Sequence, residues 1–528
     1  MKRGTLLLAL FAAVFGASAC SSGGGGGTLP PPPPVGFSNS SLKGQYAFTM
    51  TGQAPDGFIA RIGTFVADGN GGITGGTELV DTVSNNFQQF AFSSSSYQVQ
   101  ADGRGAINLT NITGTLSFSI TMTSVSGGII CETDGVTGTS GTFELQDTSA
   151  FTANALSNSF VFDNAGLDPT PFPNTNPDSI VGQIILNNGL VSGGVYDEND
   201  GAVASGPQAI TGGNYSIADT TNGLGSLVFN TNFQYAFVIV NSRKFHMIEV
   251  PPTGTNIPIT VGTANAQSAP PATDSAFASS YVFLTAGVGT TSPDFKVGRF
   301  SANGSGSATS IAMDEKLIHA SITQVPDGSL SATNYAIDTN FPGSGRGTLT
   351  FTDSKTGTYS FIFYMASATD GVIQDNSAGI VGDGRILAQL GSPFSNSTVA
   401  GDYAFNWSGV SDNNTTGARA EEDFVGHATV SSGTSSNVTG AMDFSELNAN
   451  QGAFHDSAVN GTLTINGDGT TSSGNRSTLK VTAAGTNGGP STTFNFSLYP
   501  VNASTMFVIS TDTDHSTGGA FTKQITPP

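Results

Sequence analysis

Positive charge is scarce in this sequence. Its 528 residues hold 17 Lys and Arg against 38 Asp and Glu, a formal net charge of −21. Such a chain repels phosphate backbones and anionic membrane surfaces, which excludes nucleic acid as a partner. Charged residues of both signs make up only 10%, well below the roughly 25% of an average globular domain. The surface is therefore coated by hydroxyls and amides. With only two cysteines there is no disulfide framework, and each domain must be stabilised by its own core. Helical periodicity is missing as well. Beyond the first twenty positions no window joins helical spacing to helix-forming residues.

Catalytic motifs are also absent. There is no G-x-S-x-G elbow, no H-E-x-x-H, no C-x-x-C and no P-loop. The five histidines, His246, His319, His427, His455 and His515, fall at unrelated positions without metal-ligand spacing. Asp512 and Asp514 would share a strand face, but surface turn acids are the default for such pairs. The expectation is a protein that is not an enzyme and carries no cofactor.

What is abundant is glycine, at 69 residues, among dense Ser, Thr and Asn. Those residues favour turns and edges over helix interiors. Between them run short alternating stretches of Val, Ile, Thr, Phe and Tyr, which predict an all-β fold.

The N-terminus is a leader. Lys2 and Arg3 precede an apolar stretch from Leu6 to Phe15, too short for a comfortable membrane span. Ala17-Ser18-Ala19-Cys20 follows. It resembles a lipobox, with Cys20 acylated, and it also fits ordinary A-x-A cleavage to a secreted product. The next segment favours the lipid. Five glycines lead into Pro30 to Pro34, a flexible arm joined to a stiff one. A stand-off tether needs one fixed end. The expected location is extracytoplasmic and membrane-anchored, at an outer membrane or cell surface, with secretion as the alternative. Cys131 then has no partner and reads as a small buried hydrophobe.

The remainder is four copies of one unit, recurring about every 120 residues. Each opens with an apolar residue, an aromatic and Phe: Leu42-Tyr46-Phe48, Leu156-Phe160-Phe162, Phe277-Tyr281-Phe283 and Val399-Tyr403-Phe405. Each closes with Gly and, five residues later, Gln: Gly141 and Gln146, Gly262 and Gln267, Gly384 and Gln389, Gly519 and Gln524. An aromatic alternating strand lies in each second half, such as Leu116, Phe118, Ile120 in the first. The predicted organisation is a signal peptide at 1–19 and a lipidated Cys plus tether at 20–40. Four β repeats follow at 41–147, 154–268, 275–390 and 397–525. Each repeat reads as an antiparallel meander. A small lipocalin-like β-barrel is favoured over a β-sandwich, because closing the first strand on the last removes the sheet edges.

Three features invite a binding reading. Asp68-Gly69-Asn70-Gly71-Gly72 has a calcium-loop look, with Asp68 and Asn70 as ligands. Its aligned copies, Asn187 to Gly189, Asn303 to Gly306 and Ser431 to Thr434, lose the carboxylate and keep hairpin residues, so a turn is favoured. Asp197, with Asp314 and Asp443 at aligned positions, could bind a cation or cap a loop. Arg104, Arg346 and Arg476 sit in matching Gly-rich turns, where the second unit has Leu224. They could clamp an anion or pair with a local carboxylate.

Taken whole, the chain resembles a group of uncharacterised bacterial repeat lipoproteins found in soil bacteria. The shared pattern is a lipobox, a Gly/Pro tether and repeats of the form GQYAF…DGNG…GRG. Here it is carried by Gly44-Gln45-Tyr46-Ala47-Phe48, Asp68-Gly69-Asn70-Gly71 and Gly103-Arg104-Gly105. The resemblance brings no activity with it. The expected role is adhesion, envelope structure or binding of an unknown protein or glycan partner, with the membrane engaged through the N-terminal lipid. The alternative is a carrier of small hydrophobic or glycan ligands inside its barrels.

Overall fold

Alternation in the strands becomes an inside and an outside. The computed structural model describes residues 36–527, apart from 84–86, 169–175, 232, 252–257, 290–292, 319, 326–329, 355, 414–417, 434–435, 448–451, 468–475 and 485–490. The readings made for the leader, for Cys20, for the tether up to residue 35 and for His319 fall outside these residues. Among the described residues there is no α-helix. Four short 3-10 turns, Asn39–Ser41, Thr148–Ala150, Asn154–Leu156 and Asp274–Phe277, precede or join the sheets.

The chain forms four eight-stranded antiparallel barrels. In each, the first strand pairs with the second on one side and with the last on the other. In the first barrel these are Lys43–Ala54, Gly57–Asp68 and Gly138–Leu145. The other three trios are Ser159–Asp168 with Asn176–Asn187 and Ile259–Ala266, Ser280–Gly289 with Pro293–Ala302 and Ile380–Ala388, and Gly401–Asn413 with Ala418–Val430 and His515–Lys523. The thin side of the barrel lies between its third and fourth strands. Only two residue pairs close it in the first and second barrels, and the single bridge Ser307↔Asn334 closes it in the third. There a short extra strand, Gln88–Ala91, Val203–Ile210 or Thr323–Val325, pairs along the third strand instead. The fourth barrel closes with a full ladder.

Two glycine positions explain why the repeat tolerates no side chain there. Gly63, Gly182, Gly298 and Gly426 each sit cross-strand from the opening Phe of their unit. A Cβ there would meet that ring at 2.5, 2.8, 2.4 and 2.5 Å. The closing glycines, Gly141, Gly262, Gly384 and Gly519, press on the first strand, where a Cβ would reach its carbonyl oxygen at 1.7 to 2.0 Å. Both contacts let a twisted sheet close tightly on large inward side chains.

Those side chains fill the interior. Leu42, Leu156, Phe277 and Val399, the opening apolar residues, are fully buried. Phe405 stacks on Trp407 at 4.7 Å between centroids, and Phe277 on Tyr281 at 4.2 Å. Each such pair adds about 0.5–1.5 kcal/mol beyond its buried area. Polar groups close the cores. Arg61 pairs with Glu78 in the first barrel, and Lys296 with Asp294 and Asp375 at 2.6 and 2.8 Å in the third. His515 meets Glu422 at 2.9 Å in the fourth. The barrel interiors are thus occupied by their own side chains, which removes the basis for a ligand inside the barrel.

The barrels pack side by side in a closed ring. The second strand of the first barrel lies against the last three strands of the second barrel. The same contact joins the second to the third and the third to the fourth. The second strand of the fourth, Ala418–Val430, lies against Gly114–Ser124, Gly127–Glu132 and Gly138–Leu145 of the first. One head-to-tail interface, repeated four times with the right rotation, closes on itself.

Candidate functional site at the seams and axis of the ring

The recurring Gln is the clasp of each seam. Gln146 Nε2 donates to the Ile239 carbonyl and, at 3.2 Å, to that of Asn222 in the second barrel. Gln267 donates to Ser344 and Met365 of the third barrel at 2.8 and 3.1 Å. Gln389 donates to Pro500 of the fourth at 2.7 Å. Gln524 returns to the first barrel, donating to Asp102 and Met122 at 2.9 and 2.8 Å. The following residue adds a backbone bond to the same neighbour: Asp147 to Val240, Ser268 to Ala366, Leu390 to Val501 and Ile525 to Thr123, all between 2.7 and 2.9 Å. The short joints therefore lock the units instead of letting them swing.

The arginines and aspartates singled out by sequence meet across the same seams. Arg346 of the third barrel holds Asp197 of the second through two bonds of 2.7 and 2.8 Å, and Tyr364 donates to the same carboxylate at 2.7 Å. Arg476 of the fourth holds Asp314 of the third at 3.0 Å and donates to the Val325 carbonyl at 3.2 Å. Arg104 of the first reaches the fourth, at 2.6 Å from Asp456 and 3.9 Å from Asp443. For Arg346, burial opposes the positive charge, but Asp197 outweighs it and drives the pKa up. Each of these guanidinium groups reaches a carboxylate of the neighbouring barrel, and two keep a local one as well, Arg104 with Asp102 at 2.9 Å and Arg346 with Asp338 at 2.8 Å.

Register identifies what stands in the seam between the first and second barrels. Asp197, Asp314 and Asp443 each lie cross-strand from a Val, at Val181, Val297 and Val425. The corresponding residue of the first barrel is Leu79, opposite Ile62. Leu79 and Leu224 fall in one buried apolar cluster with Ile62, Val238 and Val240. An apolar pair replaces the ion pair at that one seam.

The glycine loop at residue 68 is a hairpin tip. Asp68 Oδ1 accepts from the backbone N–H of Asn70 at 2.7 Å and of Gly72 at 2.9 Å, while Gly69 and Gly71 take positive φ. Those N–H donors hold the carboxyl below its ordinary value. Asn303 Oδ1 makes the same two bonds in the third barrel, to Ser305 and Ser307 at 2.9 and 3.1 Å. An amide does the work of the acid, so the charge is dispensable to the turn. Among the described residues no three His, Cys, Asp or Glu side chains gather as a metal site. Cys131 is buried where the first barrel meets Ala404 and Val425 of the fourth, and burial pushes its thiol up.

Two cavities lie on the ring axis, each lined by residues of all four barrels. One, of about 430 Å³, is bordered by the equivalent glycines Gly52, Gly166, Gly287 and Gly409 and carries Asp178, Asp383 and Glu421. Burial pushes the Asp383 carboxyl up to about 8, with Asp163 of the neighbouring barrel adding to it. Burial also raises Glu421. The other cavity, of about 560 Å³, carries Glu144, Lys244 and Arg385 beside Leu284, Leu387 and Phe507. Lys244 stands 2.6 Å from Glu144, and His246 3.3 Å. Burial would raise the Glu144 carboxyl, but His246 and Lys244 outweigh it and bring it down to about 2. Burial pulls His246 below its ordinary value. Lys244 and Arg385 occur in single copies, so no repeat marked them in the sequence. Their one signal was rarity, two cations on strands of an acidic chain.

No family model and no curated protein matches the chain. Among solved structures it is similar to a point mutant of the vaccine antigen transferrin-binding protein B from Haemophilus parasuis Hp5. The identity is 9% over 76% of this chain and 83% of that one, with a TM-score of 0.20. It is also similar to intact Ap-TbpB, with its N and C lobes, at 9% identity over 92% of this chain and 96% of that one, with a TM-score of 0.16. At such scores neither an arrangement of barrels nor an activity carries over.

Proposed function

We propose that this protein is a non-catalytic, membrane-anchored extracytoplasmic lipoprotein whose four barrels act as one rigid body in adhesion, envelope structure or partner binding. The observation that carries this reading is the closed set of four seams. A ring joined at every interface holds its surface hairpins at fixed spacing, so that contacts to a partner form without first ordering the units. The leader, Cys20 and the tether support the anchored location. A second reading, a small-ligand carrier, is favoured by the axial cavities and moves the ligand from the barrel interior to the ring axis.

Expression of the full chain in a bacterial host tests the anchor. The wild type should label with an alkyne fatty acid and sediment with membranes. Cys20→Ala should lose the label and move to the soluble extracytoplasmic fraction. Equal sedimentation of the two would refute the lipid anchor. Cross-linking on intact cells should capture a defined partner of the wild type, and a protein found wholly in the cytoplasm would overturn the reading.

A further inference from the structure

The larger axial cavity sets a partly exposed guanidinium beside an apolar wall inside a molecule of net charge −21. Several other described cations are already spent on structure: Arg61 and Lys296 within barrels, Arg104, Arg346 and Arg476 across seams. Arg385 is different. It projects from the last strand of the third barrel, and its side chain keeps 45% exposure. One bond of 2.6 Å, from Nη2 to Asp370, engages it. Among the described residues Nε and Nη1 have no hydrogen-bond partner. Enclosure in the cavity opposes its charge, but Asp370, with Asp163 and Glu144 adding, outweighs this and raises its pKa. Lys244 beside it is matched by Glu144, so Arg385 is the cavity's one guanidinium with unengaged N–H donors among the described residues.

The wall has a second property. Leu387 follows Arg385 by two residues and so projects from the same face of the strand. Leu284 lies cross-strand from Arg385 on the first strand. Both leucines are only half-buried, as is Ala520 of the fourth barrel, although they flank the apolar cluster of the third seam. A cavity of this volume with an apolar wall and one converging charged fork is built like a small-molecule site.

We propose that this cavity binds a small amphiphile with one carboxylate. The carboxylate pairs with the edge of Arg385 that Asp370 leaves open, formed by the second Nη2 N–H and the N–H beside it, and the hydrocarbon body lies on Leu284, Leu387 and Phe507. A guanidinium edge matches a carboxylate through two parallel N–H···O bonds. The inference does not depend on lipidation of Cys20, and the two can fail separately.

Titration calorimetry on the purified protein tests it, with decanoate, decanol and decylammonium kept below their micellar concentrations. Decanoate should bind with a stoichiometry of one, with decanol at least about tenfold weaker and decylammonium undetected. Arg385→Ala should weaken decanoate at least about tenfold and leave decanol unchanged. Leu387→Trp, which fills the cavity while leaving every charged side chain in place, should abolish both. Should Arg385→Ala not fold, the decanoate to decanol ratio and Leu387→Trp still decide. Equal binding of decanol and decanoate would overturn the proposal. So would uptake of several equivalents that Leu387→Trp does not block, or no binding of decanoate.

Discussion

The seam between the first two barrels and the seam between the second and third use the same backbone geometry with opposite chemistry. Leu79 and Leu224 stand in one where Asp197 and Arg346 stand in the other. Both seams keep the Gln clasp and the backbone bond beside it. The clasp is therefore the conserved geometry of the ring within this chain, and the buried pair beside it is replaceable. The two chemistries fail differently. An apolar pair loses stability in proportion to the area removed. A buried ion pair contributes little net stability while whole, yet becomes costly when one partner is lost.

The largest effect should come from breaking the ionic seam on one side. Arg346→Ala leaves Asp197, which is fully buried, without its bidentate partner. The expected loss is about 3–5 kcal/mol, read by urea denaturation. Replacing all three residues of that contact, Asp197→Leu with Arg346→Leu and Tyr364→Val, copies Leu79, Leu224 and Val238 of the first seam without orphaning the Tyr364 hydroxyl, and should be neutral or stabilising by about 1–4 kcal/mol. A triple variant as weak as Arg346→Ala would show that the two seams are not interchangeable.

The reverse exchange is the next largest. Leu79→Asp alone should cost several kcal/mol, on the order of an unpaired buried charge. Adding Leu224→Arg should recover about 2 kcal/mol or more of that loss, as a coupling energy in a double-mutant cycle. No recovery would mean that the first seam cannot admit the fork geometry of the others.

These pairs were partly legible in the sequence. Arg104, Arg346 and Arg476 recur, and so do Asp197, Asp314 and Asp443. The missing members are informative too. Arg is absent from the second unit and Asp from the first, the two units that share a seam. Alternation showed which residues leave the barrel, but not which barrel lies opposite, because periodicity is a local property and seam partners lie about 150 residues or more apart. The barrel fold was legible for the opposite reason. The opening aromatic, the Gly beneath it and the closing Gly all act within one unit, so every copy repeats them. The polar plugs Arg61 and Lys296 were not legible, since one cation among apolar strand residues reads as surface. The axial cavity left no trace in the repeats, because four different strand faces build it.

A smaller effect should follow from opening one clasp. Gln267→Leu removes the donor to the carbonyls of Ser344 and Met365 and leaves both without that donor at a buried seam. The expected loss is about 1–3 kcal/mol. The equivalent change at the apolar seam, Gln146→Leu, should cost slightly less, since Gln267 Oε1 also accepts from Gln183 Nε2 at 3.1 Å. A much larger cost at either seam would assign the clasp a different weight in the two chemistries.

The smallest effect separates the seams by pH. Asp163 and Asp383 face each other from the second and third barrels near the axis, and burial pushes Asp383 up to about 8 from an ordinary 3.8. Arg385 pulls Asp163 down without overcoming its own burial. The folded protein therefore holds a proton that the unfolded chain releases. That proton stabilises the fold at low pH, and its contribution is lost as pH rises from about 4 through 8. Asp383→Asn keeps the shape without the titration. Its melting temperature should move above that of the wild type between pH 6 and pH 9, with the gap widening toward about 8. The apolar cluster of Leu79 and Leu224 has no titrating side chain, so Leu79→Val should shift the melting temperature by the same amount at every pH in that range. A constant gap for Asp383→Asn would place the carboxyl in contact with water and remove the electrostatic distinction between the two seams.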